Sequence, residues 1–420
     1  MRTHNREFDI IIWGATGFVG QLVAEHLTRK YTPAELTVAL GGRNETALEE
    51  LAHRLCNDQK DWDDLPIVLG DATDKASLDD LAERTNVVCT TVGPYTKYGT
   101  PLVEACIDAG TDYCDLTGEI TWIREMIDRY HDRAVEADVR IVHSCGFDSI
   151  PADLGTQLAQ TYAIDEYGTP CELVRIYLED GEGGVSGGTL ASVLAMIEAA
   201  ESDPLARQTL KNPYSLAPAG QRDGVDTGEQ RGMRRDPLRS QWTAPSPMAA
   251  VNERIIRRSN AVLEYPWGRE FRCKEVIPTN SGVRGALTAG GIAAGVAVGT
   301  AALSVGFIRS SLERFVFPAP GDGPTHEEIE NGHFTISVIG RGTTTDGPFT
   351  VECEIGADQD PGYGATSKML GEAAMCLLRE ETESPLSGGI LTPASGIGDP
   401  LAERLRDVGL TVRVGDRNTR

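Results

Sequence analysis

The sequence predicts an α/β protein, in which a doubly wound parallel sheet is followed by an α+β domain with a mostly antiparallel sheet. Three observations support this. Residues 1–150 alternate short apolar runs with amphipathic stretches, as parallel strands and their connecting helices do. Beyond residue 150 the pattern changes, and the runs 172–179, 334–339 and 349–355 alternate apolar with polar residues. A chain of 420 residues is also long enough for two or three domains.

The first strand and the turn after it form the most specific local pattern. Residues 10–12 are three isoleucines, which suit a strand buried on both faces. Gly14, Gly17 and Gly20 follow, ahead of an amphipathic helix over about 18–29. Such glycines allow a tight turn, a close backbone approach to a pyrophosphate, and close packing of helix on strand. The pattern predicts a Rossmann domain that binds a dinucleotide through Gly14, Ala15, Thr16, Gly17, Phe18, Val19 and Gly20.

The end of the second strand, 36–40, indicates which dinucleotide is bound. An enzyme specific for NAD carries Asp or Glu near this point to bind the ribose 2′-hydroxyl, but this chain has Gly41-Gly42-Arg43. The Arg43 guanidinium can form two charge-assisted hydrogen bonds with a 2′-phosphate, and we expect no nearby carboxylate to repel that phosphate. NADP(H) is therefore the predicted cofactor. The alternative is a solvated arginine that opens the next helix, 47–55.

Two later strand ends are also expected beside the cofactor, because the carboxyl ends of the strands in a doubly wound sheet face the ligand. The strand 67–69 leads to Asp71, which we place at the edge of the adenosine pocket. The strand 86–91 leads to a Gly-Pro turn, which we place on the ribose and nicotinamide side. An ordinary strand-to-helix turn is the alternative there. The predicted contacts from this turn are Val92, Gly93 and Pro94.

The domain boundaries follow from the remaining elements. Helices over 100–109 and about 118–137, with strands at 113–116 and 140–143, complete the first domain, residues 1–150. We predict a substrate or oligomerisation domain over 151–360. Residues 361–420 are expected to form helices that pack back on the core.

Composition limits the compartment and the partners. The net charge is −24, and only seven of the 39 cationic residues are lysine, which indicates a surface adapted to a salty cytoplasm. An acidic mesophilic protein is the alternative. The chain has no basic stripe, so nucleic acid is excluded as a partner. Nine dispersed cysteines without a C-x-x-C pair indicate a reducing cytoplasm and no metal site. Cys145, beside a candidate site loop, is the one cysteine considered for reactivity.

Two segments of the second domain have open interpretations. The stretch 202–247 is rich in Pro, Gly, Asp and Arg, and is either a mobile lid or disordered. The segment 286–308 is uncharged and carries Gly291, Gly295 and Gly299 at four-residue intervals. It is a buried core helix or helix pair, a segment that contacts a membrane surface, or a single span. The second interpretation would make the cytoplasmic protein peripherally membrane-associated.

Motifs along most of the chain resemble the saccharopine dehydrogenase-like oxidoreductases, and in particular their branch of trans-acting enoyl reductases. The motifs are G-A-T-G-F-V-G at 14–20, G-G-R at 41–43, V-G-P-Y at 92–95, Y-G at 98–99, D-L-T-G-E at 115–119, C-G-F-D-S-I-P-A-D-L-G at 145–155, S-G-G-T at 186–189, D-P-G-Y-G-A-T at 360–366 and G-G-I-L-T-P at 388–393. This resemblance implies an NADP(H)-binding Rossmann domain, a separate substrate domain, and a reduction that often involves lipid-like substrates. True saccharopine reductases bind a dicarboxylic amino acid, whereas the uncharged Gly/Ala segment here favours an apolar substrate.

The predicted function is therefore an NADP(H)-dependent reduction of a C=C bond in an apolar, enoyl or isoprenoid-like substrate by hydride transfer. Such a reduction needs a proton donor. The predicted catalytic residues are Tyr95, Tyr113 and Asp148, and the donor itself is not assigned; other candidates near strand ends are Tyr98, Asp115 and Glu119. For Asp148 and Asp153 the alternative is helix capping. A nucleotide-bound scaffold or membrane-associated binding protein without turnover is the competing function. A homodimer is the oligomer we consider.

Overall fold

Two seven-stranded sheets organise the part of the chain that the computed structural model describes. The described residues are 6–59, 61–182, 196, 198–303, 324–379 and 384–417. The first sheet is parallel throughout, and the second is antiparallel at five of its six strand pairs. The predicted fold class is confirmed. The motif at 186–189 and residues 304–308 of the apolar segment lie outside the described residues.

The first sheet has the strand order of a doubly wound fold. Along the sheet, the chain-order numbers of its first six strands read 3-2-1-4-5-6, so the connections reverse direction between the first and fourth strands. A ligand binds at such a reversal, outside the carboxyl ends of the strands. The strands are β1 (Phe8–Trp13), β2 (Val38–Gly42), β3 (Ile67–Leu69), β4 (Thr85–Thr90), β5 (Asp112–Cys114) and β6 (Arg140–Val142).

Helices connect these strands, and apolar residues at helical spacing bury one face of each on the sheet. In the second helix the buried residues are Leu48, Leu51, Ala52 and Leu55. The third helix was not among the predicted elements, and the fourth begins at Tyr95 rather than at residue 100. The helices are α1 (Phe18–Lys30), α2 (Glu45–Asp58), α3 (Lys75–Glu83), α4 (Tyr95–Ala109), α5 (Ile120–Glu136) and α6 (Ile150–Tyr167).

The second sheet is covered on one face by α6. A Cβ on Gly155 of α6 would lie 2.9 Å from Cγ2 of Val338, so this glycine allows the helix to lie close to the sheet. The strand order is β14-β12-β11-β7-β10-β9-β8, with β7 and β10 parallel. Its strands are β7 (Leu173–Glu182), β8 (Arg234–Arg235), β9 (Trp242–Pro245), β10 (Arg272–Thr279), β11 (His333–Thr344), β12 (Gly347–Ala357) and β14 (Thr411–Asp416).

The stretch 202–247 is folded and packed, which differs from both predicted alternatives. It contains α7 (Pro204–Lys211) and the strands β8 and β9. Buried arginines of α8 (Ala249–Val262) hold it in place: Arg254 donates to the carbonyl of Leu210, and Arg257 forms an ion pair of 2.8 Å with Asp226. The proline, glycine and charged residues of this stretch suggest a lid or disorder. Its stabilising partners on α8 are distant in sequence, so local composition does not indicate them.

The long apolar helix α9 (Gly282–Leu303) is mostly exposed. It is long and apolar enough to cross a membrane by length and composition, with a mean hydropathy of 1.4, yet only 11% of its most apolar window is buried in this chain. The predicted core-helix interpretation is therefore wrong for residues 286–303. Membrane contact and a single span are the two predicted interpretations left for this segment.

The C-terminal region supplies strands as well as the helices that its sequence predicts. The short helix α10 (His326–Asn331) precedes this region, and the helices within it are α11 (Thr366–Arg379), α12 (Pro393–Gly396) and α13 (Asp399–Asp407). The strand β13 (Gly389–Leu391) pairs in parallel with β6 and is the seventh strand of the first sheet. The buried Glu372 carboxylate joins α11 to α1, where it accepts hydrogen bonds from His26 and from the Tyr31 hydroxyl, each 2.8 Å long.

Candidate functional site

The glycine turn after β1 has the geometry that a dinucleotide phosphate requires. Gly14 has φ +88°, which an L side chain rarely adopts, and Gly17 N–H donates to Gly14 O over 2.9 Å. A Cβ on Gly20 would lie 2.2 Å from Gly14 O. Only glycine at position 20 therefore lets α1 approach the turn this closely, and the turn and the start of the helix together form the cradle of the site.

The N-terminus of α1 is suited to bind an anion. Gly17 occupies the N-cap position without a side-chain cap, and no acidic residue lies in the first turn. The first N–H groups of a helix have no partner within it and carry the positive end of the helix dipole. Residues Ala15, Thr16, Phe18 and Val19 surround this end of the helix, so the predicted binding segment 14–20 is brought together at one point.

The turn after β4 lies directly across from the glycine turn. A turn that contacts the cofactor, as predicted, has to lie there. A Cβ on Gly14 would be 2.7 Å from Cγ2 of Val92, and the Thr91 hydroxyl donates to Gly14 O over 3.2 Å. Gly93 is exposed, and Pro94 precedes α4 as its N-cap. Val92, Gly93 and Pro94 thus line the edge of the switch point between β1 and β4.

Arg43 and Asp71 lie at the neighbouring edge of the sheet. Arg43 is exposed and directly follows β2. Asp71 follows β3, and hydrogen bonds from the Thr73 N–H and hydroxyl, together with the charge of Arg43, lower the pKa of its carboxyl. The expectation that no carboxylate lies near Arg43 is therefore corrected, because Asp71 is close enough for a charge interaction. The link between β3 and α3 brings the two together.

Glu119 and Tyr95 hold the start of α4. The buried carboxylate of Glu119 accepts from the N–H groups of Tyr95 and Thr96, each over 2.8 Å, and from the Thr96 hydroxyl. This carboxylate caps α4 and explains why the helix begins at Tyr95. The Tyr95 hydroxyl is itself enclosed, since it donates to Thr90 O and accepts from the Leu116 N–H. Burial raises its pKa well above the usual value.

Tyr113 and Asp115 belong to a buried cluster at the ends of β5 and β6. The Tyr113 hydroxyl donates to Asp115 over 2.9 Å, and His143 Nδ1 lies 2.7 Å from the same carboxylate. His143 Nε2 has no hydrogen-bond partner among the described residues. Burial raises the pKa of Tyr113 well above its usual value. The cluster fixes the loop that leaves β6, and none of its side chains is exposed.

Asp148 differs from the other predicted acids. Its side chain is partly buried, and within the described ranges it has no hydrogen-bond or ion-pair partner. Burial raises the pKa of its carboxyl to about 6. Asp153, one turn later, is used structurally: it accepts from the Ser259 hydroxyl over 2.5 Å and from the Ala394 N–H over 2.9 Å. Asp153 thus caps α12 instead of its own helix.

A second carboxyl, Glu275 on β10, lies near Asp148 and was not predicted. Burial raises its pKa to about 7, and the charge of Asp148 contributes to the same effect. Asn252 donates to Glu275 over 2.6 Å and accepts from the Ser149 hydroxyl over 2.9 Å. One signal was available in the sequence, because Glu275 shares the inward face of β10 with buried Cys273. An acid at such a position predicts a satisfied or functional carboxyl.

Aromatic side chains connect the glycine turn to the Asp148 loop. The rings of Phe18 and Tyr363 meet edge to face with centroids 4.9 Å apart. Tyr363 belongs to a short π-helical segment, Pro361–Ala365, and the next residue, Thr366, accepts a hydrogen bond of 3.1 Å from the Phe147 N–H. Phe147 also contacts Phe334, with centroids 4.8 Å apart. The Asp148 loop is thus one short segment away from the cofactor turn, across an apolar wall.

Metal and thiol chemistry have no site in the described ranges. No group of three or more His, Cys, Asp or Glu there could hold a metal ion. Cys145 is fully buried, and burial raises the pKa of its thiol well above the usual value. It is therefore unreactive in this state.

Comparison with known proteins gives a consistent result. The model of the saccharopine dehydrogenase NADP binding domain matches residues 10–142. A Mycobacterium tuberculosis protein, named provisionally as a trans-acting enoyl reductase, is 39% identical over 416 residues, covering 97% of each chain. The trans-acting enoyl reductase of Mycobacterium bovis is 37% identical over 424 residues, covering 98% of this chain and 99% of its own. The solved apo saccharopine dehydrogenase of Saccharomyces cerevisiae has a TM-score of 0.54 over 97% of this chain and 100% of its own, and at 14% identity it shares the fold alone.

Proposed function

The chain belongs to the saccharopine dehydrogenase-like oxidoreductases, in the branch of the trans-acting enoyl reductases, and we propose that it reduces the C=C bond of an apolar enoyl substrate. It is an NADP-dependent oxidoreductase, and NADP(H) is its cofactor. The reduced cofactor supplies a hydride, and the protein must bind it, exclude water and supply a proton. Each of these tasks has a candidate group in this chain.

The cofactor's phosphates fit the cradle of the first turn. The N-terminus of α1 would hold the pyrophosphate, because its first N–H groups lack a side-chain cap and Gly20 lets the helix lie against the carbonyl of Gly14. Arg43 would hold the 2′-phosphate of the adenosine ribose. Asp71, held by Thr73, would limit the position of Arg43 at that edge. Val92, Gly93 and Pro94 would border the ribose and nicotinamide side.

We propose Asp148 as the proton donor. A carboxylic acid with a pKa of about 6 holds its proton near neutral pH far better than an ordinary aspartic acid does. What supports Asp148 over Tyr95, Tyr113, Asp115 and Glu119 is that its carboxyl has no partner among the described residues while theirs are engaged inside the fold. In the proposed reaction, hydride adds to the β-carbon and Asp148 delivers the proton to the α-carbon.

Glu275 is proposed to stay neutral beside Asp148, because burial, together with the charges of Glu253 and Asp148, raises the pKa of its carboxyl to about 7. Two carboxyls that share a poorly hydrated space cannot both ionise easily, so a negative charge on one raises the pKa of the other. The Ser149–Asn252–Glu275 hydrogen bonds hold the second carboxyl in place. Glu275 is thus a second, neutral carboxyl near the proposed donor, and it is burial that raises the pKa of Asp148.

The proposal that the substrate is apolar is supported by the aromatic side chains between the cofactor turn and the Asp148 loop. Phe18 and Phe147 are partly buried aromatic side chains between the cofactor turn and the Asp148 loop, linked through Tyr363 and Thr366. An apolar acyl or prenyl chain would gain free energy from burial against these rings. Cytoplasmic location and a homodimer remain proposals, the first motivated by nine free cysteines; fractionation and light scattering test them.

The test is NADPH oxidation by the purified protein with a panel of enoyl thioesters and polyprenyl compounds of increasing chain length. We expect turnover that improves with chain length, and a kcat/KM that falls above about pH 6 as Asp148 loses its proton. Asp148→Asn should reduce kcat at least about 100-fold with NADPH affinity unchanged. Asp148→Glu should retain part of the rate.

The matched control is Asp346→Asn, which changes an exposed aspartate in the turn between β11 and β12 and should leave kcat unchanged. An unaltered kcat in Asp148→Asn would exclude Asp148 as the donor. NADPH binding without turnover on any substrate would instead support the competing function, a nucleotide-bound scaffold.

A further inference from the structure

The helix α9 is apolar on all of its faces and yet exposed. No Asp, Glu, Lys or Arg occurs from residue 285 to residue 303. The side chains of Val283, Leu287 and Val298 are 77%, 72% and 68% exposed. A helix of a soluble protein that packs on one partner carries an apolar stripe opposite a polar face. An apolar surface on every side is instead expected of a helix that is surrounded by an apolar medium.

Only the first part of α9 is seated on the protein. The carbonyl of Gly285 accepts a hydrogen bond of 2.9 Å from Thr279 at the end of β10, and a Cβ on Gly290 would lie 3.5 Å from the sulfur of Met233. Further along, a Cβ on Gly291, Gly295 or Gly299 would meet nothing within 4 Å. Among the described residues, 291–303 are mostly exposed, with Ile292, Ala293 and Val296 partly buried, and they extend over about 20 Å at 1.5 Å per residue. This is close to the depth of one leaflet of a bilayer, about 15 Å of hydrocarbon.

Exposed arginines lie at the base of this helix. Arg234 and Arg235 form β8, next to Met233, which contacts the helix. The sheet register pairs Arg235 with Trp242 and Trp242 with Thr279, just before α9. Arg284 lies in the first turn of α9. In the described part of the chain, Arg234, Arg235 and Arg284 form no ion pair with a carboxylate. They concentrate positive charge on a protein whose net charge is −24.

We propose that this face docks on a bilayer with anionic headgroups, with residues 291–303 in the hydrocarbon of one leaflet and Arg234, Arg235 and Arg284 at the phosphates. Arginines beside an apolar helix are complementary to anionic lipid, while the acidic remainder of the surface is repelled and stays in water. We assign a lipid surface as the partner because exposed positive charge lies beside a helix that is apolar on every side. An enzyme that acts on apolar substrates would thereby be held at the bilayer in which those substrates dissolve.

The experiment is flotation of the full chain, at about 0.15 M salt, with vesicles of phosphatidylcholine alone or with about 30% phosphatidylglycerol. We expect binding to the anionic vesicles that is at least about tenfold stronger than to the neutral ones. Val298→Asp, which places a charge at the exposed tip, should lower anionic binding at least about tenfold. Arg234→Glu/Arg235→Glu should abolish the preference for anionic lipid and retain weak neutral binding.

Two matched controls separate docking from general effects. Val135→Asp changes a valine that is 51% exposed on α5, and Arg272→Glu/Arg341→Glu changes two exposed arginines beside Leu173 at the opposite end of the second sheet. Both should bind vesicles as the parent does, and melting curves report on folding. Equal binding to both vesicle types, or no binding to either, would overturn the proposal. So would concentration-dependent dimerisation that Val298→Asp removes in the absence of vesicle binding, because a second copy would then cover α9.

Discussion

At the scale of single residues, the raised pKa of Asp148 has a consequence for stability that is independent of turnover. The folded carboxyl has a pKa of about 6 against a reference of 3.8, so between these values the folded chain holds a proton that the unfolded chain has lost. Stability therefore falls as pH rises through this window. At higher pH the ionised, poorly hydrated carboxylate costs at most about 3 kcal/mol.

Asp148→Asn should therefore stabilise the protein while removing activity. We expect its free energy of unfolding to exceed that of the parent by about 2 kcal/mol at pH 8, and to equal it at about pH 3, where the aspartate is neutral in both the folded and the unfolded chain. Urea denaturation at the two pH values measures this. The control, Asp346→Asn, should show no pH-dependent difference. A gain of the same size at both pH values would mean that burial of the charge is not its cause.

The second prediction at this scale concerns Arg43. Arg43→Ala should weaken NADPH binding by roughly 10- to 100-fold, because two charge-assisted hydrogen bonds to the 2′-phosphate are lost. NADH affinity should change by less than about threefold. Calorimetric titration with both dinucleotides measures the ratio. Arg54→Ala, on the exposed side of α2, is the control and should alter neither affinity. Equal losses for the two dinucleotides would contradict the role of Arg43.

The sequence was informative about cofactor residues and less so about the acid. Gly14 and Gly20 are predictable because each meets a backbone requirement that only glycine satisfies, whereas Gly17 has an ordinary φ of −70°. Tyr95 and Glu119 also lie near strand ends, yet the Glu119 carboxylate is turned inward to cap α4 and the Tyr95 hydroxyl is enclosed between Thr90 O and the Leu116 N–H, which no local pattern reveals. Glu275 comes close to Asp148 only through the contact between the two domains. Proximity between residues 127 positions apart is a property of the tertiary fold.

At the scale of elements, Gly20 decides whether α1 can approach the glycine turn. Gly20→Ala would place Cβ against the carbonyl of Gly14, and backbone atoms cannot rotate away. We expect a loss of at least about 2 kcal/mol in stability and at least about tenfold in NADPH affinity. Gly295→Ala is the matched control: a helical glycine with open space around it, it should gain up to about 1 kcal/mol. Thermal melts and fluorescence titration measure both. An unchanged affinity in Gly20→Ala would show that the close approach is dispensable.

Element boundaries were predictable where periodicity was strong and failed where the tertiary structure supplied the partner. β1, α1 and α2 lie close to their predicted positions because their apolar spacing matches a buried strand or a one-sided helix. The helix α8 was missed because its polar residues look solvent-exposed, although Arg254, Arg257 and Arg258 are all buried. Their partners are carbonyls and carboxylates of the preceding stretch.

At the scale of the whole molecule, the excess of acidic charge should make stability depend on salt. With a net charge of −24, repulsion within the folded chain is strong at low ionic strength and is screened as the Debye length falls from about 10 Å at 0.1 M to about 3 Å at 1 M. We expect Tm to rise by several degrees between 0.1 and 2 M KCl at pH 7.5. Near the isoelectric point of about 4.7, the same salt should have little effect. Calorimetry measures both series. A Tm that is constant or falls with KCl at pH 7.5 would indicate an ordinary acidic protein.

The position of β13 has a consequence for biosynthesis. Residues 389–391 complete the edge of a sheet whose other strands are finished by residue 142, and the neighbouring Arg258 donates to the carbonyl of Ile390. During translation this edge can therefore close only after residues 389–391 have left the ribosome, well after the other strands of the sheet. A premature stop before residue 389 would leave β6 as an open edge, able to recruit strands from other nascent chains. Completion of the first sheet thus depends on a strand that is synthesised long after the other six.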